Sequence, residues 1–274
     1  MIQKILLHIL QTCIGLILII ASVYPVLWFV SISFQSDQSA YSVPTRWFFR
    51  PELTNYRKML ANPDFTHALI SSIQISATVT LVCVFLGALA GFALSRYKIK
   101  GKRALTSLIT VTRLIPTFAI IIPTFYIYRQ LNLLDTLLGL DIALVAFQLP
   151  LSILIMYRLM NSIPRAIDEA AYLDGAGPFR IFMQVILPIS RSGLASSAAV
   201  TFILVWNEFL FVLVLAGNKI LTMPLVIASF QTDKAILWGS IAASSVISLV
   251  PILLILIGLQ RQIISGLSSG SVIE

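Results

Sequence analysis

The 274-residue chain is 58% hydrophobic and only 11% charged, with a mean hydropathy of +0.95. Soluble domains average about 45–50% apolar and 25% charged residues. So few charges cannot cover so apolar a core, and the outer surface has to face lipid. The formal net charge of +8 comes from bases clustered between apolar runs, not from a basic stripe on a wet face, which argues against a nucleic-acid partner.

In chain order, windows of about 19 residues place apolar spans at 9–34, 67–95, 104–129, 141–160, 192–216 and 238–260. Each is long enough to cross a hydrocarbon layer of about 30 Å at 1.5 Å per residue, which predicts six transmembrane helices. The first run exceeds the roughly 7–15 apolar residues of a signal peptide and is expected to stay as an anchor. Pro25, Pro116, Pro123, Pro150 and Pro251 fall inside spans and mark expected kinks. Cys13 and Cys83 both fall in apolar runs and read as two small buried hydrophobes rather than a disulfide or metal site.

With the amino terminus inside, eleven Lys and Arg residues lie in inner segments and seven in outer ones, three once the long first outer loop is set aside. This predicts both termini in the cytoplasm. In that outer loop, about 35–66, Trp47, Phe48 and Phe49 suit the membrane interface. The basic run Arg96 to Arg103 reads as a positive-inside anchor.

No G-x-x-x-x-G-K-[ST] phosphate loop occurs, so the chain carries no nucleotide cradle of that kind. His8 and His67 are far apart, with no zinc motif and no serine triad, so neither a metal site nor a catalytic residue is expected.

The inner loop 161–191 holds the most informative chemistry. Pro164 suits a first helical turn and Gly175 a left-handed closing residue, which predicts a helix over about 164–174. Within it Ile163, Ile167, Ala170 and Asp174 share a face, Arg165, Asp168 and Glu169 lie away from it, and Arg165 and Glu169 form an i, i+4 pair. Pro178 starts a second helix, limited by Pro188, with Phe179, Phe182, Met183 and Ile186 on one apolar face opposite Arg180 and Gln184. Such a hairpin either lies on the inner membrane surface or docks into a protein groove. Two acids against one base in the first helix are unlike the Lys/Arg-rich polar face of membrane-surface helices.

Glu169-Ala170-Ala171-Tyr172-Leu173-Asp174-Gly175-Ala176, followed by Ile186-Leu187-Pro188, resembles the "EAA" loop of membrane-spanning subunits of binding-protein-dependent ABC importers. Pro123-Thr124-Phe125, Leu131-Asn132-Leu133-Leu134-Asp135-Thr136, Ile163-Pro164 and Trp206-Asn207-Glu208-Phe209 extend the resemblance over nearly the whole chain. They are similar to the smaller six-span subunit of the carbohydrate-uptake branch, of maltose type. Two departures are Ser192 where the branch often has a second proline, and the ending Gly270-Ser271-Val272-Ile273-Glu274.

The resemblance implies an all-α membrane protein of the type I ABC importer permease fold, residues 1–274 forming one transmembrane permease domain in a bacterial-type inner membrane. It implies ATPase coupling through Glu169, Ala170, Ala171, Asp174, Gly175, Leu187 and Pro188 on a cytoplasmic coupling helix. The implied partners are a second permease subunit, two ATP-binding subunits that hold ATP and Mg, and an extracytoplasmic binding protein; the chain itself needs no cofactor. The implied cargo is a sugar or sugar-like solute: an oligosaccharide, glycosylated polyol or glycerol phosphate. Import of another polar solute, or a gradient-driven secondary transporter, is the alternative, and the latter predicts inverted repeats and unwound ion-binding helices that the sequence does not display.

Arg113 and Glu208 are charges inside spans, and such charges are either hydrogen-bonded within the bundle or line a solute route. Their depths differ by about 10 Å at 1.5 Å per residue, which argues against direct contact. Trp206, Asn207 and Glu208 combine an aromatic face with amide and carboxylate groups and are, with Arg113, the expected substrate pathway. Trp28, Trp206 and Trp238 read more readily as packing residues than as sugar platforms, Trp206 being also the best local guess for a sugar contact.

Overall fold

A computed structural model of the chain describes residues 2–40, 49–217, 219–232 and 235–269. Trp47, Phe48 and the ending 270–274 lie outside the described residues. The described elements are helical: α1 (Ile2–Ser33), α2 (Asp37–Ala40), α3 (Thr54–Ala61), α4 (Pro63–Arg96), α5 (Lys102–Thr112), α6 (Thr117–Gln130), α7 (Leu137–Ser162) and α8 (Ala166–Leu173). Then come α9 (Pro178–Ile181), a π-helical stretch Phe182–Ile186, α10 (Leu187–Ile189), α11 (Arg191–Trp206), α12 (Leu210–Leu215), α13 (Met223–Ser229) and α14 (Trp238–Ser269). An isolated bridge between Gln231 and Ile236 is the only β pairing among the described residues.

Four helical stretches are long and apolar enough to cross a membrane: Leu10–Ser33, Pro63–Arg96, Leu137–Ser162 and Trp238–Gln262. Two bent pairs raise the number to as many as six. One is α5 with α6, meeting at 91°, where a single kinked span over 104–129 is predicted. Pro116, at φ −60° and ψ 138°, is the cause, because it lacks an N–H and steers its predecessor away from helical geometry. The other pair is Pro178–Ile189 with α11, bent by 77°. The predicted fifth span, 192–216, is likewise two helices, interrupted at Asn207–Phe209. Pro25, Pro123, Pro150 and Pro251 remain inside helices.

The described residues fall into two sets. The first, residues up to Thr66 together with Val226–Val250, is clasped by polar contacts beyond the end of α1. Asn55 donates from Nδ2 to the carbonyls of Ser33 (3.0 Å) and Gln35 (2.7 Å), and Tyr56 pairs with Ser33 Oγ at 2.6 Å. Asp37 Oδ1 accepts from the Ser240 N–H at 3.0 Å, in the first turn of α14, where a carboxylate complements the helix dipole. The lipid-crossing part of α1 presents Leu16, Ile17, Leu18, Ile19 and Ile20 at more than half exposure, as an apolar helix facing lipid would.

The second set, His67–Leu225 and Pro251 onward, carries the larger core. Ile75, Val79 and Cys83 of α4 pack with Leu140 and Leu144 of α7 and with Phe211, Val212 and Leu215 of α12. The buried thiol of Cys83 points at the Val145 carbonyl, 3.8 Å away, the packing role expected of it, while Cys13 is exposed. Small residues let the helices approach. A Cβ on Gly91 would fall 2.8 Å from the Met156 carbonyl carbon and the Tyr157 nitrogen, and one on Gly87 would strike Ser152. Ser152 in turn shares a 2.9 Å hydrogen bond with Ser197 of α11. Gly87 and Gly91 form a G-x-x-x-G spacing, the pattern that brings membrane helices close.

Candidate functional site: the inner loop and its anchorage

Helix α8 is shorter than predicted and ends as predicted. Gly175 has φ +81°, its N–H bonds to the Tyr172 carbonyl at 3.0 Å, and the Ala176 N–H bonds to the Ala171 carbonyl at 3.0 Å. These paired bonds make a Schellman close, which satisfies carbonyls that the helix end would otherwise leave bare. Gly177, extended, then hands over to Pro178 at the first position of α9, where a missing N–H costs nothing. Pro188 does not stop the second segment, which runs one residue further to Ile189 and closes at Ser190.

The apolar floor of the loop is Phe182 and Ile186, with Ile181, against Ala88 and Phe92 of α4 and Met156 and Met160 of α7. Ile163, Ala171, Ala176, Met183 and Leu187 pack around this cluster. Phe179, expected on the same face, is 66% exposed, because the π-helical turn that follows rotates the face away from it.

Arg165 and Glu169 are exposed, and Asp168 alone departs from the charged side they share. Asp168 is buried, not turned away from the packing face, and its Oδ2 lies 2.5 Å from Nε of Arg96, the last residue of α4. Arg96 also donates from Nη1 to the Met160 carbonyl at 2.9 Å. Arg165 donates from Nη2 to the Ser95 carbonyl at 3.2 Å, and no Arg165–Glu169 ion pair is found among the described residues. Burial pushes the Asp168 carboxyl above its ordinary range, against the pull of Arg96 and Arg165. Tyr97 lies beside the pair, and burial, followed by the neighbouring Tyr172, pushes its hydroxyl up. Arg96, Tyr97, Arg165, Asp168 and Tyr172 share the walls of a cavity of about 140 Å³.

Outward, the loop presents Glu169, Ala170, Asp174 and Gly175 to solvent, with Leu173 at 90% exposure and Tyr172 at 50%. Ala171 and Leu187 are half-buried, and Pro188 is exposed. The exposed face of the loop is thus an apolar tip beside the carboxylates of Glu169 and Asp174.

The predicted pathway residues do not form one cluster. Arg113 follows the last residue of α5, donates to the Phe147 carbonyl (2.9 Å) and Gln148 Oε1 (3.4 Å), and stands over the Phe147 ring. Glu208 Oε1 accepts from the Leu210 and Phe211 N–H groups at 3.1 and 3.2 Å, so it caps α12. The two charges therefore serve different helices, as their predicted depths implied. Trp206 is 2% exposed and stacks on Phe202, and Asn207 is exposed, donating to the Ile203 carbonyl at 2.8 Å. A largely apolar cavity of about 320 Å³ between α6 and α7 is lined by Thr112, Thr124, Tyr128, Phe147, Pro150 and Phe211.

The model of the binding-protein-dependent transport system inner membrane component family matches residues 83–268, which includes this whole loop. The chain belongs to that family. It is 35% identical over 254 residues to the trehalose transport system permease protein SugB of Mycobacterium tuberculosis, covering 90% of this chain and 91% of that protein. It is 32% identical to the trehalose/maltose transport system permease protein MalG of Thermococcus litoralis, over 98% of both chains. Among solved structures, a bacterial ABC transporter involved in the import of the acidic polysaccharide alginate superposes with TM-score 0.77 at 23% identity, covering 94% of this chain and 97% of that one. The fold is thus that of an importer permease, and the permease is a multi-pass membrane protein.

Proposed function

We propose that this permease is the smaller membrane-spanning subunit of an ATP-driven ABC importer for a sugar or sugar-like solute, an oligosaccharide, glycosylated polyol or glycerol phosphate. The relatives named for trehalose, maltose and diacetylchitobiose support that cargo class. The chain crosses the membrane six times as one permease, α5 with α6 making the third span and α11 with α12 the fifth, with both termini cytoplasmic, in keeping with eleven inner bases against seven outer ones.

The observation that carries the reading is helix α8, closed by a left-handed glycine and offering Glu169, Ala170, Asp174 and the bare Leu173 away from the core. This helix docks into a cleft of an ATP-binding subunit. A second permease pairs with this one, two ATP-binding subunits hold ATP and Mg, and a binding protein outside delivers the solute. When the two ATP-binding subunits close, they draw the paired loops together, and the helices above convert that motion into outward opening. Hydrolysis belongs to the partner subunits.

The test is uptake by the full complex in liposomes, followed with labelled trehalose and maltose. Accumulation is expected to require ATP on the side of the ATP-binding subunits and to survive ionophores that collapse ion gradients. Uptake that vanishes with the gradient while ATP is held constant would make the protein a secondary transporter.

A further inference from the structure

We infer that Arg96 and Asp168 form a mechanical joint through which α8 pulls directly on the inner ends of α4 and α7. This rests on the docking of α8 proposed above and adds the route by which force leaves that helix. On the chain, α8 is joined to its neighbours by short non-helical links, residues 163–165 before it and 174–177 after it. Links of this kind yield under load, so sequence connectivity alone transmits a helix displacement poorly.

The ion pair bypasses the links. Asp168 sits in the first turn of α8, and its carboxylate meets the guanidinium of Arg96 at the last turn of a 34-residue helix. Both side chains are at least nine-tenths buried, which removes the solvent screening that makes surface pairs weak. The same guanidinium holds the Met160 carbonyl, in the last turn of α7, so one planar fork joins three elements. Arg165 adds a second bond across the same gap, to the Ser95 carbonyl. The floor below, Ala88, Phe92, Met156, Met160 and Phe182, is apolar and has no direction of its own. The polar contacts supply the directionality, since separating the charges leaves both buried and unpaired. Asp168 and Arg96 are positioning residues: neither lies on the outer surface that Glu169 and Leu173 offer to a partner.

The experiment uses the complete importer in liposomes, reading solute accumulated per ATP hydrolysed, alongside the amount of ATP-binding subunit retained. Asp168→Asn keeps shape and removes charge. It is expected to retain the ATP-binding subunits and hydrolyse ATP within twofold of the parent, yet import at least fivefold less solute per ATP. Asp168→Glu, which restores the charge, is expected to recover at least half of the parent ratio. Arg96→Lys, whose single ammonium cannot hold Asp168 and Met160 together, is expected to fall between the two. An unchanged ratio in Asp168→Asn, failure of Asp168→Glu to recover it, or loss of assembly in both Asp168→Asn and Arg96→Lys overturns the joint. Glu169→Lys, run beside them, separates the two ideas. If it weakens retention of the ATP-binding subunits while the Asp168 variants stay coupled, docking stands and the joint fails; if it too changes nothing, docking itself fails.

Discussion

Replacing Gly175 by valine is expected to abolish transport, at least tenfold, in a protein that still inserts and still pairs with its second subunit. The backbone at Gly175 has φ +81°, and no atom lies within 4 Å of the position a Cβ would take. Steric crowding from neighbours therefore contributes nothing, and the whole effect is backbone strain of about 1–2 kcal/mol, larger for a β-branched residue. The strain falls on a two-bond Schellman close whose partners, Tyr172 and Ala171, belong to the docking helix. Relieving it means redirecting α8, not unpacking the spans. Glu169→Lys tests the same docking by charge instead of geometry and is expected to lose substrate-stimulated ATP hydrolysis together with uptake. A hairpin lying on the membrane predicts the reverse: stronger binding to anionic lipid and uptake at the parent rate.

Gly91→Val is expected to fail earlier, in folding. Its Cβ would stand 2.8 Å from backbone atoms of Met156 and Tyr157, which cannot swing aside as a side chain would. Forcing α4 off α7 costs about 1–3 kcal/mol or more in a packed core. It also opens the apolar floor on which the inner loop rests, because Phe92, Met156 and Met160 flank the contact. Folded, detergent-stable protein recovered on size-exclusion chromatography should drop severalfold. Gly15→Val, with nothing within 4 Å of its Cβ, should leave the yield unchanged.

The apolar runs, the glycine that closes α8 and the proline that opens α9 were legible because each depends on local chemistry: hydropathy, a positive φ, a missing N–H. What escaped the sequence depends on residues far apart. Asp168 looks like one more acid beside Glu169 until its partner is known, and that partner lies 72 positions earlier at the end of another helix. The helical wheel of α8 groups Asp168 with Arg165 and Glu169, yet of the three only Asp168 is buried. The Gly87–Gly91 spacing was present in the sequence as a recognised packing pattern and needed only to be read. Pro116 bends the third span just after Arg113, whose guanidinium lies beside the Phe147 carbonyl of α7. Trp206 is buried and stacks on Phe202, the packing role read for it from the sequence.

Helix α8 as the docking element for an ATP-binding subunit is the centre of the account, and Leu173, at 90% exposure beside Asp174, is the side chain that reports on it most directly. With Leu173→Cys in a background lacking Cys13 and Cys83, labelling by a membrane-impermeant maleimide is compared in liposomes, with the inner face accessible, for the permease pair alone and for the complete importer. Rapid labelling is expected for the pair alone, and at least tenfold protection once the ATP-binding subunits are bound. Equal labelling in both states, or protection by lipid already present in their absence, would contradict it.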